Sequence, residues 1–312
     1  MTRRALPPDS PYRGPAPRRT ADSVPAASPR SAGGPALRPP RAERPRPPGA
    51  PRSGHGEPVA PPPSRRDEEQ RLFGLNACLA AFAHRPQDLR KLWLDAARVP
   101  RLKPLLAWCV QQRLGYRVVE TADLDRLAGT QHHEGVCMDL RRPAPLSLAA
   151  LLAQLPAPPA ASLLILLDGV GNPHNVGAVL RSAANFGAHG LIVTADAPAV
   201  LSGAAVRVAE GGAEAVAYAQ LVGGEDALAT LRGAGYAVAA TVPRDGQDPY
   251  ARPLPRRLVL VFGAEGEGMS AALIRAADLR LTIPGSGAVE SLNIAASAAV
   301  LCAEWWRAAR RD

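Results

Sequence analysis

Beyond residue 70 the apolar positions fall into short runs separated by amphipathic stretches. Residues 163–167 are an unbroken apolar run, the pattern of a strand buried on both faces of a parallel sheet. Residues 191–194, 215–218, 236–241, 258–262 and 279–283 read as further strands. Helices are predicted over 176–186 and 227–231, from Ser270, and from Leu292 to Arg310, with a turn region between 194 and 215. Strands alternating with helices predict an α/β domain whose parallel sheet is covered by helices.

Upstream, Leu72, Leu75, Leu79 and Phe82 recur at helical spacing. Residues 92–94, 116–119 and 136–138 read as strands; 102–114, stopped at Gly115, and 124–127 read as helices. Such alternation makes a smaller α/β domain. Residues 143–159 are proline-rich with one helical stretch, 146–155, and read as a linker. The expected organisation is a tail at 1–66, a small domain at 67–143, a linker at 144–161 and a second domain at 162–312. No internal repeat is visible.

Charge changes this picture at one end. The chain carries a net +9, and residues 1–66 hold 13 arginines and 4 acids, which is the whole excess. The same segment has 18 of the 33 prolines and almost no large apolar residues. It cannot bury enough surface to offset chain entropy and is expected to be disordered. Two readings stand for it: a nonspecific contact with a polyanion, or a solubilising tail. Its proline density argues against the amphipathic helix of a transit peptide, and it has no apolar core of a secretory signal. No run reaches the ~18 apolar residues of a membrane span. The four cysteines are far apart and show no metal-ligand spacing, so reduced thiols, no metal and a cytoplasmic location are expected.

Three strand-to-helix loops carry the candidate chemistry. The first, Asp168 to Gly177, contains Asn175, placed to cap the following helix, and leads to Arg181, whose guanidinium fork suits a phosphate. The plain reading is a cap and a surface arginine. The second, Gly263-Ala264-Glu265-Gly266-Glu267-Gly268, is neither GxGxxG nor a P-loop. Its two acids would repel a pyrophosphate and suit a cationic ligand or hydroxyl and amino donors; the plain reading is a tight turn. The third, residues 281–296, leaves a strand at Pro284, passes Gly285 and Gly287, and places Glu290, Ser291 and Asn293 before an alanine-rich helix. Alone it is an ordinary helix start. Three such loops on one sheet point to one shared site.

Taken together, these residues resemble the three motifs of the SpoU/TrmH-type RNA 2′-O-ribose methyltransferases of the SPOUT superfamily. Asn175-Val176-Gly177-Ala178 with Arg181-Ser182-Ala183 is similar to the first motif, Phe262 to Gly268 to the second, and Ile283-Pro284, Gly287 and Ser291-Leu292-Asn293-Ile294 to the third. Residues 207–214, RVAEGGAE, also resemble the family between the first two motifs. Residues 71–142 resemble its L30e-like substrate-binding domain. The tail and the AEWWR ending resemble an extended subgroup known only as tRNA/rRNA methyltransferases.

The resemblance implies an α/β fold with a trefoil-knotted C-terminal domain, an S-adenosylmethionine cofactor, an RNA substrate (rRNA or tRNA) and a homodimer. It implies cofactor contacts at Gly263, Gly268, Ile283, Pro284 and Leu292. Arg181, Asn175, Glu265, Ser291 and Asn293 become the reacting site. Ala295 and Gly285 depart from the family, where serine and a bulkier residue are common; neither removes a proposed catalytic group. A guanidinium normally stays protonated, so Arg181 is read as a phosphate clamp that stabilises developing alkoxide rather than as the base. Competing readings are a noncatalytic RNA-binding or ribosome-assembly factor on the same fold and a different nucleotide-dependent α/β enzyme. The reacting groups argue against the first, and the missing nucleotide fingerprints against the second.

Overall fold

The structure, a computed structural model, describes residues 69–194, 201–223, 226–266 and 268–310. The expected disordered tail and Glu267 of the second loop lie outside the described residues. The small domain runs β1 (Glu69–Phe73), α1 (Leu75–His84), β2 (Leu89–Leu94), α2 (Lys103–Gln111), β3 (Tyr116–Val118), α3 (Thr121–Ala128) and β4 (Val136–Arg141). Its sheet has the order β1-β4-β2-β3, antiparallel except between β2 and β3. Leu72, Leu92, Leu94, Met138 and Leu140 meet α1 and α2 in one apolar cluster.

Residues 144–161 are more than a linker. They form α4 (Leu148–Ala153), Leu148 and Leu151 are fully buried, and Leu146 bridges to Ala219 of the larger sheet. Six parallel strands follow: β5 (Ser162–Asp168), β6 (Gly190–Val193), β7 (Ala217–Gln220), β8 (Ala237–Thr241), β9 (Arg257–Gly263) and β10 (Leu279–Leu281). Their order is β10-β8-β9-β5-β6-β7. Between them run α5 (Pro173–Asn185), α6 (Gly203–Ala209), α7 (Gly212–Ala215), α8 (Ala227–Gly233) and α9 (Ala271–Ala276), and α10 (Ile294–Ala309) ends the fold.

The alternation of β5 explains why its apolar run has no polar positions. Leu163, Ile165 and Leu167 pack with α5 and α10, while Leu164 and Leu166 face α4 and α8. β9 divides in the same way, Leu258, Leu260 and Phe262 against Val259 and Val261. A strand covered on both faces must be apolar at every position. Burying each such side chain contributes about 1.5–3 kcal/mol. All four cysteines are free and buried, and burial pushes the thiols of Cys137 and Cys302 up to about 12.

Four expectations need correction. Leu72 lies on β1, not on a helix; Gly74, at φ 95°, turns the chain, and α1 starts at Leu75. The helix after the first loop is capped by Asn172, whose Oδ1 accepts from the His174 amide at 2.9 Å; Asn175 lies inside α5 and is buried. Asn172 wins because Pro173 fits the first helical position and has no amide to leave unpaired. The turn region between β6 and β7 contains α6 and α7, which Glu210 and Gly211, both left-handed, separate. The last strand stops at Leu281 and the last helix starts at Ile294, so Ile283, Pro284, Ser291 and Leu292 all sit in loop. Trp305 packs within its own domain and donates to the Pro255 carbonyl at 3.2 Å, whereas Trp306 is partly exposed.

Candidate active site

The order β10-β8-β9 sets the carboxyl ends of three parallel strands side by side. Ligands of open α/β sheets bind at such ends. A cavity of about 710 Å³ opens there, reached by Thr241 of β8, Gly263 of β9 and Leu281 of β10.

The floor is the second glycine loop. A Cβ on Gly263 would lie 2.3 Å from the Met269 amide nitrogen and 2.4 Å from the Gly268 carbonyl carbon. No larger residue fits, because the loop folds directly back over this position. Gly266 and Gly268, at φ 88° and 73°, make the reversal, and the Gly268 amide donates to the Ala264 carbonyl at 2.9 Å. Asp168, paired with Gly263 across the sheet, accepts from the Ser270 amide at 3.2 Å and ties the loop's exit to β5.

The wall is the third loop. The Thr282 hydroxyl donates to the Val242 carbonyl at 3.0 Å and accepts from the Gly246 amide at 2.9 Å, so the segments after β8 and β10 are joined. Farther on, Arg244 pairs with Glu290 at 3.3 Å on an exposed rim. The chain then reaches Ser291, Leu292 and Asn293, all exposed and all lining the cavity.

Asn293 joins the three loops. Its Nδ2 donates to Asn175 Oδ1 at 3.1 Å and to Glu265 Oε1 at 2.9 Å, while its Oδ1 accepts from the Ala295 amide at 2.7 Å and caps α10. Both amide hydrogens are thereby engaged. Asn293 sets the distance between the first, second and third loops, and the second carboxylate oxygen of Glu265 accepts no hydrogen bond from another described residue.

Seven of the sequence-derived residues line the cavity: Gly263, Glu265, Gly268, Ile283, Ser291, Leu292 and Asn293. Asn175 sits behind them, 8% exposed and reached through Asn293. Pro284 follows Ile283 but is exposed and does not line the cavity. Arg181 is not brought to it. It is exposed on α5, six residues beyond Asn175, which at 3.6 residues per turn places it about 240° round and roughly 9 Å along the helix. Sequence reasoning missed Thr241, Val242, Pro243, Met269 and Ile274 in the lining. Residues 241–243 were detectable in principle, as the carboxyl end of a parallel strand followed by proline; Met269 and Ile274 carry no local signal. Among the described residues, no group of His, Cys, Asp and Glu is placed to hold a metal, and no helix is long and apolar enough to cross a membrane.

Comparison with known proteins bears on this arrangement. Residues 162–303 match the family model described as SpoU rRNA Methylase family, and residues 71–146 match the one described as RNA 2′-O ribose methyltransferase substrate binding. The chain is 39% identical over 246 residues to an uncharacterized tRNA/rRNA methyltransferase, YfiF, of Escherichia coli O157:H7, covering 78% of this chain and 69% of that one. It is 32% identical to the 23S rRNA (guanosine-2′-O-)-methyltransferase RlmB of Pseudomonas putida, covering 74% and 93%. Among solved structures it is similar to the SpoU methyltransferase AviRb of Streptomyces viridochromogenes in complex with AdoMet, with TM-score 0.64, 26% identity, and 78% and 91% of the chains covered.

Proposed function

The chain belongs to the SpoU rRNA methylase family and is an S-adenosylmethionine-dependent RNA 2′-O-ribose methyltransferase; from that premise we propose that it acts on rRNA or tRNA in the cytoplasm, as a homodimer with a trefoil-knotted catalytic domain. The observation that carries the site assignment is the cavity at the strand ends with Asn293 joining all three loops beside it.

The residues present fit the cofactor. The volume lies within the range of small-molecule sites. Gly263 lets the loop fold back on itself and form the cavity floor, and Leu281, Ile283 and Leu292 offer apolar wall. Glu265 supplies negative charge toward a cationic ligand. Gly263, Gly268, Ile283 and Leu292, which line the cavity, would hold the cofactor, largely through backbone, with Pro284 only fixing the chain after Ile283. Bound there, it supplies a methyl group already activated by its positive sulfur.

The chain's own groups have the remaining tasks: placing a ribose hydroxyl in line with that methyl and easing loss of its proton. Asn293 holds Glu265 and Asn175 in fixed relation, so the site is organised before RNA arrives. Ser291 is exposed at the cavity edge and can hydrogen-bond the incoming nucleotide. Arg181 lies outside the lining and makes no hydrogen bond or ion pair with another described residue. Its fork is free for an RNA phosphate next to the reacting ribose, where its charge would stabilise the developing alkoxide. Discrimination against DNA follows from the reacting group, since only RNA has the 2′-hydroxyl. The homodimer is supported by Trp306, 39% exposed beside Phe186 at the end of α10.

The test is transfer of labelled methyl from S-adenosylmethionine to total RNA of cells lacking this protein, with the modified positions mapped as 2′-O-methyl. Wild type should label RNA and not DNA, and Arg181→Ala should lower the rate by about 100-fold, a loss typical of a removed charge-stabilising group. Labelling by Arg181→Ala at the wild-type rate would remove Arg181 from the site. Calorimetry with S-adenosylmethionine alone separates the enzyme from a noncatalytic RNA-binding protein on this fold, which would bind none.

A further inference from the structure

The segment RVAEGGAE, residues 207–214, is a motif-like stretch that the cavity does not use. It spans the end of α6 and nearly all of α7, and it lies between the small domain and the catalytic helix α5. Its contacts on the two sides differ in kind.

Toward the small domain, polar links stand beside the apolar packing of Ala213. Glu214 is held by Arg85 through three hydrogen bonds, the Nε at 2.9 and 3.1 Å and the Nη2 at 2.9 Å, with both side chains nearly buried at 9% and 11% exposure. Arg85 also donates to the Arg141 carbonyl at 2.9 Å, so the same guanidinium joins α1 and the end of β4 to Glu214. Asn76 donates to Glu210 at 2.6 Å, and Glu210 is one of the few non-glycine residues in the left-handed region, φ 52°. That conformation costs a side-chain-bearing residue energy and persists where its surroundings hold it.

Toward the catalytic domain, beside the apolar packing of Ala205 and Ala209, the contacts include close approaches to backbone. A Cβ on Gly212 would lie 2.7 Å from the Leu180 carbonyl oxygen and 3.1 Å from the Arg181 Cα. A Cβ on Gly177, one turn earlier on α5, would lie 2.4 Å from the Ala205 carbonyl oxygen of α6. On the other side, a Cβ on Gly211 would lie 3.1 Å from Ala80 of α1. Consecutive glycines therefore abut the two domains, Gly211 against α1 and Gly212 against the turn of α5 that carries Arg181. Packing this close leaves no slack to absorb a displacement.

We propose that the α6–α7 segment couples the small domain to Arg181: Arg85 and Glu214 seat the segment on the small domain, Gly212 transmits its position to the Arg181 turn, and RNA bound to the small domain thereby sets where the arginine stands. Glu214, Arg85 and Gly212 are positioning residues, since none touches the cavity. The proposal rests on the RNA methyltransferase reading above. Residues 69–143 carry 12 basic and 8 acidic residues, against 12 and 14 for residues 144–312, so the small domain is the part of the two-domain body with charge suited to RNA.

The experiment uses the full chain, labelled S-adenosylmethionine and total RNA from cells lacking the protein. Gly212→Ala, which forces Leu180 and Arg181 to shift, and Glu214→Gln, which keeps shape and loses charge, should each lower the saturating rate by about tenfold or more. Half-saturation by RNA and the S-adenosylmethionine Kd should stay within about twofold of wild type. An unchanged saturating rate, or a loss carried wholly by half-saturation, overturns the proposal. Because Gly212→Ala puts folding itself at risk, hydrogen exchange provides an arm that needs neither that variant nor turnover. RNA should slow exchange of the amides of residues 178–185 in wild type, and not in Glu214→Gln at matched RNA occupancy. Equal protection in both proteins means that RNA touches α5 directly, and the coupling is wrong. If wild type methylates no RNA but shows the protection, the enzyme reading fails while the coupling stands.

Discussion

Asn293 is the residue on which the site's geometry turns, because one amide group holds three loops. Asn293→Asp separates its roles. Aspartate caps a helix as well as asparagine does, so the bond to the Ala295 amide and the start of α10 should survive. It has no N–H for Asn175 or Glu265 and sets a second carboxylate about 3 Å from the first. We expect S-adenosylmethionine to bind at least tenfold more weakly by calorimetry, roughly 1.4 kcal/mol, with a melting temperature close to wild type. Unchanged affinity would show that the link does not shape the cavity. The residue types at this site were readable in order along the chain: Asn175, Glu265, Ser291 and Asn293 were all identified. Their connection was not, since the hydrogen bond between Asn293 and Asn175 spans 118 positions. Asn175 shows the limit most clearly. As an asparagine near a helix start it reads as a cap, yet Asn172 takes that place and Asn175 serves a loop far away in sequence.

At the scale of elements, strands were legible wherever burial was two-sided. β5 and β9 announce themselves by apolar runs, whereas β1 was hidden because Leu72 also fits the helical spacing of α1. α6 and α7 were hidden by the turn-like Glu210-Gly211-Gly212, where Gly211 makes the left-handed break between two short helices and Gly212 answers to the close approach of α5. The end of the large sheet remote from the cavity has a pH response of its own. His189, just before β6, has a buried Nδ1 without a hydrogen-bond partner among the described residues. Burial, and then the nearby Arg257, hold its imidazolium form below its ordinary pKa. The unfolded chain therefore takes up a proton near pH 6.5 that the folded chain refuses until lower pH, and stability falls as pH drops through that window. Urea midpoints for wild type and His189→Gln should thus converge on acidification from about pH 7 to about pH 5, as wild type loses the stability that depends on a neutral ring. Parallel curves would mean that the imidazole titrates alike in the folded and unfolded chain.

At the scale of the whole molecule, charge is divided by region: +9 on residues 1–66 and near balance over the rest. If the tail grips RNA, deleting residues 1–65 should weaken RNA affinity and flatten its dependence on salt. The log–log slope should fall by about 0.7 for each phosphate of single-stranded RNA that the tail no longer neutralises. An unchanged slope would leave the tail as a solubilising segment. The expected domain plan rests on the composition shift at residue 66 and the prolines clustered at 143–159. What reads as a linker is nevertheless part of the sheet's cover, since Leu148 and Leu151 are as buried as any core residue.

The sequence by itself determined the strands of the larger domain to within a few residues, the three glycine loops and their likeness to one family, because these depend on local periodicity, backbone freedom and residue type. Only the tertiary structure decided which loops meet, that Asn293 joins them, that Arg181 stands away from the cavity, and that residues 207–214 lie between the two domains. Those facts depend on strand order, which sets β10, β8 and β9 side by side although β9 is between the other two in sequence. Local pattern specifies what a segment buries, but the neighbours it meets follow from the path of the whole chain.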